Sequence, residues 1–175
     1  DQGLNLVDKV WFRQLQSQDG SIFHHGDERE GDEVGDDEKM DIQLDKVSEF
    51  IHYIGFVINS YSGQELDDVD KASCHLFDPH THTDLATYAM TNSHAVDGHT
   101  ALVVACLYRH PQRPREWNLC IISEAAQGTM VQDNVDELQN YLRRHPPHAT
   151  LLEEEEEEIV VDAEMPAFVP LEDED

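Results

Sequence analysis

The sequence predicts an all-β domain with one C-terminal helix, folded as an antiparallel β-sandwich and followed by a disordered acidic tail. Short β-branched and aromatic runs recur along residues 10–123, with turn residues between them. One amphipathic run, residues 134–144, has helical spacing instead. Residues 151–175 hold twelve acids and no base, which is too self-repelling to pack. We therefore expect a domain over residues 1–148 and an acidic low-complexity tail over residues 149–175.

Local patterns define the predicted strands. Met40, Ile42 and Leu44 alternate with polar residues, as in a half-buried strand. Residues 50–61 form the longest β-branched and aromatic run, which favours a central position in a sheet. Gly20 closes a turn and suits a positive φ. The full set of predicted strands is residues 10–15, 21–23, 40–45, 50–61, 72–77, 83–90, 100–108 and 117–123.

The predicted helix over residues 134–144 has both termini marked. Asp133 or Asn134 can cap its start, and Arg144 in the last turn complements the negative end of the helix dipole. Pro146 prevents its continuation. Its apolar face consists of Val135, Leu138, Tyr141 and Leu142.

Size, charge and cysteine usage exclude several classes of protein. The chain has 175 residues and a net charge of −27, with no basic stripe, so we predict no nucleic-acid partner. No run approaches the roughly 20 apolar residues of a membrane span, so we predict no transmembrane segment. The first residue is Asp1 rather than Met, which indicates a processed product or part of a longer polypeptide. Three cysteines without CxxC spacing favour reduced thiols and a cytoplasmic location, although one disulfide remains open.

The acidic segment of residues 27–45 is the most informative stretch. It holds ten carboxylates against the two bases Arg29 and Lys39. Like charges about 4 Å apart repel by roughly 1 kcal/mol in water and roughly 4 kcal/mol near a protein surface. Such a loop must stay spread in water or close around a cation. Ligands that are all oxygen favour calcium over a transition metal.

An EF-hand does not fit this segment. Asp27 and Glu38 are spaced as the first and last ligands of a twelve-residue loop. However, the third and fifth positions are Arg29 and Gly31, and Asp32 stands where the loop needs glycine. We therefore expect a different site, in which loops at one end of a sandwich converge. Besides the segment that ends at residue 38, the loops over residues 63–70 and 92–99 could contribute Glu65, Asp67, Asp68, Asp70, Asn92 and Asp97.

Zinc binding and catalysis have weaker support. Cys74, His75, His80 and His82 lie close in sequence but lack the paired spacing of zinc sites. No GxSxG, HExxH or glycine-rich phosphate loop is present. We predict that the protein is not an enzyme. From the residues alone, a solvated acidic loop and a calcium site both remain open.

The acidic segment resembles the TerD family of tellurium-resistance and stress-response proteins. The family pattern is Asp-Gly, then His-x-Gly-Asp-Asn-x-Thr-Gly, then Gly-Asp-Asp-Glu. The corresponding residues are Asp19-Gly20, His24 to Gly31 and Gly35-Asp36-Asp37-Glu38. Matches such as Leu107-Tyr108-Arg109 and Glu116-Trp117 extend the resemblance over about residues 8 to 145.

This resemblance implies a β-sandwich that binds two neighbouring calcium ions at one end. It also implies a cytoplasmic stress-response protein whose protein partners belong to a membrane-associated complex. Gly31 and Gly35 would shape the loop, and Glu28 and Glu30 replace the asparagine and threonine of the family pattern. The predicted metal ligands are Asp27, Glu28, Glu30, Asp36, Asp37, Glu38 and Glu65.

The first strands of the family, with their Asp-Leu-Asp stretch, are absent before Asp1. A sandwich without them lacks one or two strands unless a preceding segment or a partner chain completes it. The predicted function is a calcium-binding stress-response or signalling domain, in which Ca²⁺ orders acidic loops to present a partner-binding surface. The alternative is a metal-independent acidic interaction protein that binds basic partners through its loop and Glu-rich tail.

Overall fold

The computed structural model describes residues 1–27, 38–70, 72–90 and 94–148. Seven strands and one α-helix lie within these ranges, which confirms the all-β class with a single C-terminal helix. The predicted tail, residues 149–175, lies outside the described residues. The elements are β1 (Ile22–Asp27), β2 (Glu38–Ile42), β3 (Tyr53–Asn59), β4 (Ser73–Asp78), β5 (Thr83–Ala89), β6 (Ala101–Arg109), β7 (Trp117–Ala126) and α1 (Val135–Arg144).

The strands form three antiparallel sheets, with the orders β1-β2, β3-β6-β7 and β4-β5. The three-stranded sheet is the centre of the domain, and every residue of its middle strand β6 is buried. Hairpins β1-β2 and β4-β5 cover one face of this sheet, and α1 covers the other. A strand covered on both faces reads as a continuous apolar run, as β6 does.

A β-bulge in β6 changes which of its residues face each side of the sheet. Phe56 pairs with Ala105 and Val57 with Val103, so Val104 is an extra residue in β6. As a result, Val104 and Ala105 both pack in the core under the β4-β5 hairpin. The neighbours Val103 and Cys106 pack on the other face, against α1.

The β1-β2 hairpin is held at the far end of β6 by apolar and polar contacts. Ile22 and Ile42 pack against a buried cluster that includes Leu107. Arg109 is buried and donates to backbone carbonyls, including Val47 O at 2.9 Å and Pro114 O at 2.7 Å. These bonds satisfy the donors of a buried guanidinium.

The predicted strand over residues 10–15 is wrong. The segment holds an isolated bridge, in which the backbone groups of Trp11 and Gln14 bond to each other at 3.0 and 2.8 Å, and its last residue accepts at Leu15 O from His24 N of β1 at 2.8 Å. The Arg13 guanidinium lies 5.6 Å from the centroid of the Trp11 ring. The tight turn over residues 11–14 therefore interrupts the extended backbone, and a continuous strand does not form.

The predicted central position of residues 50–61 is also wrong. Within the described part of the chain, β3 bonds only to β6, and β6 occupies the centre of the sheet. Gly20 has the expected positive φ, at 71°. The composition of β3 indicated a strand correctly but could not show on which side it would be paired.

The helix agrees with its predicted apolar face. Leu142 is buried against β6 and β7, and Leu138 and Tyr141 pack beside it. Asp133 accepts hydrogen bonds from the N–H groups of Thr129 and Met130, both at 3.0 Å, in the turn that leads into the helix. No helix in the described residues is long and apolar enough to cross a membrane.

Candidate functional site

Three carboxylates from two separate loops converge at one position of the domain. Glu65 and Asp67 belong to the turn around Leu66–Asp68, which follows β3, and Asp97 lies in the loop before β6. One oxygen atom from each side chain lies within 4.8 Å of the other two. Glu65 and Asp97 are exposed, and Asp67 is half-buried.

Buried apolar neighbours hold these acids in place. Leu66 stands between Glu65 and Asp67 and is 3% exposed, and Val96 precedes Asp97 and is 0% exposed. Both side chains pack in one cluster with Leu102 of β6. Because the two apolar side chains pack in the same cluster, the loops that carry the acids lie close to each other.

A backbone hydrogen bond joins the two loops, and side-chain bonds hold the loop before β6 in place. Leu66 N donates to His99 O at 2.9 Å. Gln127 donates through Nε2 to Gly98 O at 2.9 Å, and His99 donates through Nδ1 to Asp97 O at 2.7 Å. Gly98 has a φ of 73°, which glycine adopts at little cost. These hydrogen bonds hold the two loops beside each other.

The electrostatics of the cluster favour a cation. Asp67 has a buried oxygen, Oδ1, for which the described residues supply no hydrogen-bond partner. A buried acceptor without a partner calls for an ion or a water molecule. Three carboxylates this close repel each other, and Ca²⁺ prefers six to eight oxygen ligands of this chemistry.

The structure describes some of the predicted metal ligands and not others. Glu28, Glu30, Asp36 and Asp37 lie outside the described residues. Asp27 and Glu38 are register partners at the loop end of the β1-β2 hairpin, and Glu38 is exposed. Glu65 belongs to the carboxylate cluster. Its partners there, Asp67 and Asp97, lie in loops that were expected to contribute acids, but they are not among the predicted ligands.

The base of the acidic loop is stabilised by polar contacts between β1 and β2. His25 Nε2 lies 2.8 Å from Asp41 Oδ2, and Lys39 Nζ lies 3.4 Å from Asp41 Oδ1. The hydrogen bond from His25, followed by the charge of Lys39, lowers the pKa of Asp41. On the buried side, His24 Nδ1 accepts a hydrogen bond from Gly26 N at 2.9 Å. These contacts hold both ends of the loop side by side.

The residues considered for zinc do not join the carboxylate cluster. His75 instead contacts Asp84 across the β4-β5 hairpin, with Nδ1 and Oδ1 2.8 Å apart. Cys74 packs on the core beneath β6. Burial raises the pKa of its thiol. Among the described residues, the cluster of Glu65, Asp67 and Asp97 is the group of ligand side chains close enough to share one ion.

The fold and the site thus define the class of this protein. It is an antiparallel β domain in which two acidic loops converge. The family model of the TerD domain matches residues 4–135, and the chain belongs to the TerD family.

Similar proteins carry resistance and stress names. The tellurium resistance protein TerZ of Serratia marcescens is 32% identical over 127 residues, covering 73% of this chain and 62% of that protein. The stress response protein SCP2 of Bacillus subtilis is 31% identical over 128 residues, covering 71% and 62%. The chain therefore spans about three fifths of the length of these relatives.

A solved structure shares the fold. The crystal structure of a homologue of the telluride resistance protein TerD from Streptomyces coelicolor has a TM-score of 0.58 at 22% identity. The match covers 71% of this chain and 70% of that one. The likeness supports the antiparallel architecture described above.

Proposed function

We propose that this domain binds Ca²⁺ in a cytoplasmic stress-response or signalling assembly. Ca²⁺ neutralises the acidic loops, fixes their shape and so creates a surface for a protein partner. The observation that carries the proposal is the convergence of Glu65, Asp67 and Asp97 within 4.8 Å. Its support lies in donor chemistry, since the three side chains offer oxygen alone, and one buried oxygen has no partner among the described residues.

Two calcium ions fit the distribution of carboxylates. One would be held by Glu65, Asp67 and Asp97. The other would use the loop between β1 and β2, with Asp27, Glu28, Glu30, Asp36, Asp37 and Glu38 as the available ligands. The register pairing of Asp27 with Glu38 supports this second site, because it brings both ends of the loop together.

Calorimetric titration of the full chain tests both sites. We expect micromolar calcium binding with two events per chain. Asp67→Asn combined with Asp97→Asn should remove one event, because it takes two charged ligands from a cluster of three. Asp36→Asn combined with Asp37→Asn should remove the other. Asp68→Asn is the matched control, since this acid lies in the same turn, is exposed and lies outside the cluster.

Two results would contradict the proposal. One is the absence of binding heat at millimolar calcium. The other is an equal loss of affinity in Asp68→Asn and in the double variant, which would indicate a general effect of charge. An unchanged titration in Asp67→Asn with Asp97→Asn would exclude this cluster while leaving the first loop to be tested by its own variant.

A second candidate function is a metal-independent acidic interaction protein. The twelve acids and absent bases of residues 151–175 favour it, together with the net charge of −27. Such a protein would bind basic partners through the acidic loop and the tail. The same titration separates the two candidates, since only the first requires saturable calcium binding.

A further inference from the structure

Two of the three cysteines face each other within the β3-β6-β7 sheet. Cys106 of β6 and Cys120 of β7 are register partners in the antiparallel ladder, and the register is regular from Ala105 onwards. Residues directly opposite each other place their side chains on the same face of a sheet. Both side chains accordingly pack in one apolar cluster beneath α1, together with Leu142. The two thiols are therefore neighbours in the folded chain.

The hydrogen bonds of this ladder give the spacing of the pair. His110 N donates to Glu116 O at 2.9 Å, just beyond the ends of β6 and β7. Hydrogen-bonded pairs recur at every second residue of an antiparallel ladder, so Cys106 and Cys120 form such a pair. The Cα atoms of such a pair lie about 5.5 Å apart. Because a disulfide needs roughly 4.4–6.8 Å between its Cα atoms, the backbone is already within bonding range.

Both thiols are free in the structure, and they differ in their access to solvent. Cys106 is 0% exposed and donates through Sγ to Leu107 O at 3.2 Å, whereas Cys120 is half-buried. Burial raises the pKa of the Cys106 thiol to about 12, and it also raises the pKa of Cys120. An oxidant from solvent therefore meets Cys120 first. Scarce thiolate makes that reaction slow at neutral pH, so it responds to sustained oxidation.

Cys74 provides a comparison within the same chain. It is half-buried like Cys120, and burial raises the pKa of its thiol in the same direction. However, it packs in the core on the opposite face of the β3-β6-β7 sheet. Its register partner in β5 is Tyr88, so a phenol rather than a thiol lies opposite it. Cys74 thus resembles Cys120 in burial but not in its neighbour.

We propose that Cys106 and Cys120 are a redox-sensitive pair, which a peroxide oxidises to a reversible disulfide between β6 and β7. The Cys120 thiolate attacks one peroxide oxygen and becomes a sulfenic acid. The O–O bond breaks, and the other oxygen leaves as hydroxide, which takes up the proton released by Cys120. The Cys106 sulfur then attacks the Cys120 sulfur, the S–O bond breaks, and the oxygen leaves as water with the Cys106 proton. The thiols lose two hydrogen atoms, and one peroxide is reduced to two molecules of water.

The disulfide acts on the stability of the domain. It closes the loop of residues 106–120, and a cross-link of this kind restricts the unfolded chain more than the folded one. A thiol reductant reverses the effect by exchange. The pair belongs to a different apolar cluster from Leu66 and Val96, which attach the carboxylate loops to the core. The proposal therefore does not depend on calcium binding.

Mass spectrometry of the full chain after peroxide treatment tests this pair. The reduced protein is treated with hydrogen peroxide under native conditions, unfolded in N-ethylmaleimide to block the remaining thiols, and digested without reductant. We expect peptides linked through Cys106 and Cys120, a maleimide at Cys74, and recovery of all three thiols in dithiothreitol. The oxidised protein should unfold roughly 5–10 °C above the reduced protein.

Three alanine variants separate the steps. Cys120→Ala should leave Cys106 reduced, because the buried thiol has no contact with the peroxide in solution. Cys106→Ala should stop the reaction at the sulfenic acid of Cys120, which dimedone labels. Cys74→Ala is the matched control, since it removes a half-buried thiol from outside the pair. It should form the linked peptides at the rate of the wild-type chain.

The proposal is wrong if peroxide converts Cys120 to a sulfinic acid without linked peptides, if the linkage forms only in urea, or if it joins two chains. Equal unfolding temperatures of the oxidised and reduced protein would exclude an effect on the fold. Equal loss of linkage in Cys74→Ala and Cys120→Ala would indicate a general effect of removing a cysteine. If Cys106→Ala does not fold, the linked peptides of the wild-type chain and their absence in Cys120→Ala decide.

Discussion

Asp19 shows how one exposed carboxylate joins two parts of the chain. Its Oδ1 accepts from the Ser17 and Ser21 hydroxyls, both at 2.7 Å, and from Ser21 N at 3.0 Å. Its Oδ2 accepts from Ser48 N at 2.9 Å and so ties the β1 turn to the loop after β2. Burial alone would raise the pKa of Asp19, but these hydrogen bonds together lower it well below its ordinary value of 3.8.

Asp19→Asn should therefore lower stability near neutral pH. The amide keeps one acceptor oxygen but loses the acceptor that faces Ser48, at a cost of about 1 kcal/mol, kept small by solvent screening. Because the folded state lowers this pKa, the carboxylate stabilises the fold above pH 3.8 and loses that effect as the pH falls further. Urea unfolding at pH 7 and pH 3 should show a smaller difference between the two proteins at pH 3.

Asp45→Asn provides the control, since it removes the same charge from an exposed position in the same region. It should shift stability by less than Asp19→Asn at pH 7. Equal effects of the two variants would mean that net charge, rather than the hydrogen bonds of Asp19, determines the change.

At the scale of elements, strands were predicted well where local composition decides and poorly where pairing decides. Residues 83–90 and 100–108 correspond closely to β5 and β6, because β-branched runs between turn residues suffice to define them. The position of β3 at the edge depends on which strand bonds to it, and that is a long-range property. Residues 10–15 have strand composition, yet contacts within a tight turn prevailed.

In the candidate site, too, the local signals were readable from the sequence and the long-range contacts were not. The density of acids pointed to Glu65, which belongs to the cluster, and to the loop between β1 and β2, whose residues 28–37 lie outside the described residues. The convergence of Asp67 with Asp97 depends on the bond from Leu66 N to His99 O, which joins loops more than thirty residues apart. A usable signal was present, since Leu66 and Val96 are large apolar residues inside mainly polar loops. Such residues indicate where a loop attaches to the core.

The contact between β3 and α1 yields a prediction at this scale. A Cβ atom at Gly55 would overlap Leu138 Cδ2, so the helix packs directly on the strand backbone. Gly55→Ala should cost about 1–3 kcal/mol through overpacking. In a Leu138→Ala background the same substitution should cost much less, because the space is free. A double-mutant cycle by urea unfolding measures this coupling.

Additive costs in that cycle would exclude the contact as the reason for glycine at this position. Leu142→Ala serves as the comparison background, since Leu142 lies on the same helix face but not among the atoms that approach Gly55. Gly55→Ala should keep its full cost there.

The charge of the whole molecule raises the question of whether calcium acts at a defined site or only as a counterion. With a net charge of −27, any cation should relieve some self-repulsion. Monovalent salt screens exposed charges in the same general way, with a Debye length of about 8 Å at 0.15 M. A specific site is distinguished by stabilisation that saturates and that salt of equal ionic strength does not reproduce.

Deleting residues 149–175 separates these effects, because it removes twelve acids and leaves Glu65, Asp67 and Asp97 in place. Thermal unfolding with calcium and with chelator should show the same calcium stabilisation in the deleted and the full chain. Free calcium at 100 times the dissociation constant should stabilise either one by about 2.7 kcal/mol for each site. Loss of the calcium effect with the tail would show that the ion acts as a counterion of residues 151–175, and the acidic interaction protein would then be the better description. Equal stabilisation of the two chains would place the binding in the β domain. In that case a quadruple variant, with Asp67→Asn, Asp97→Asn, Asp36→Asn and Asp37→Asn, should abolish the stabilisation in both chains.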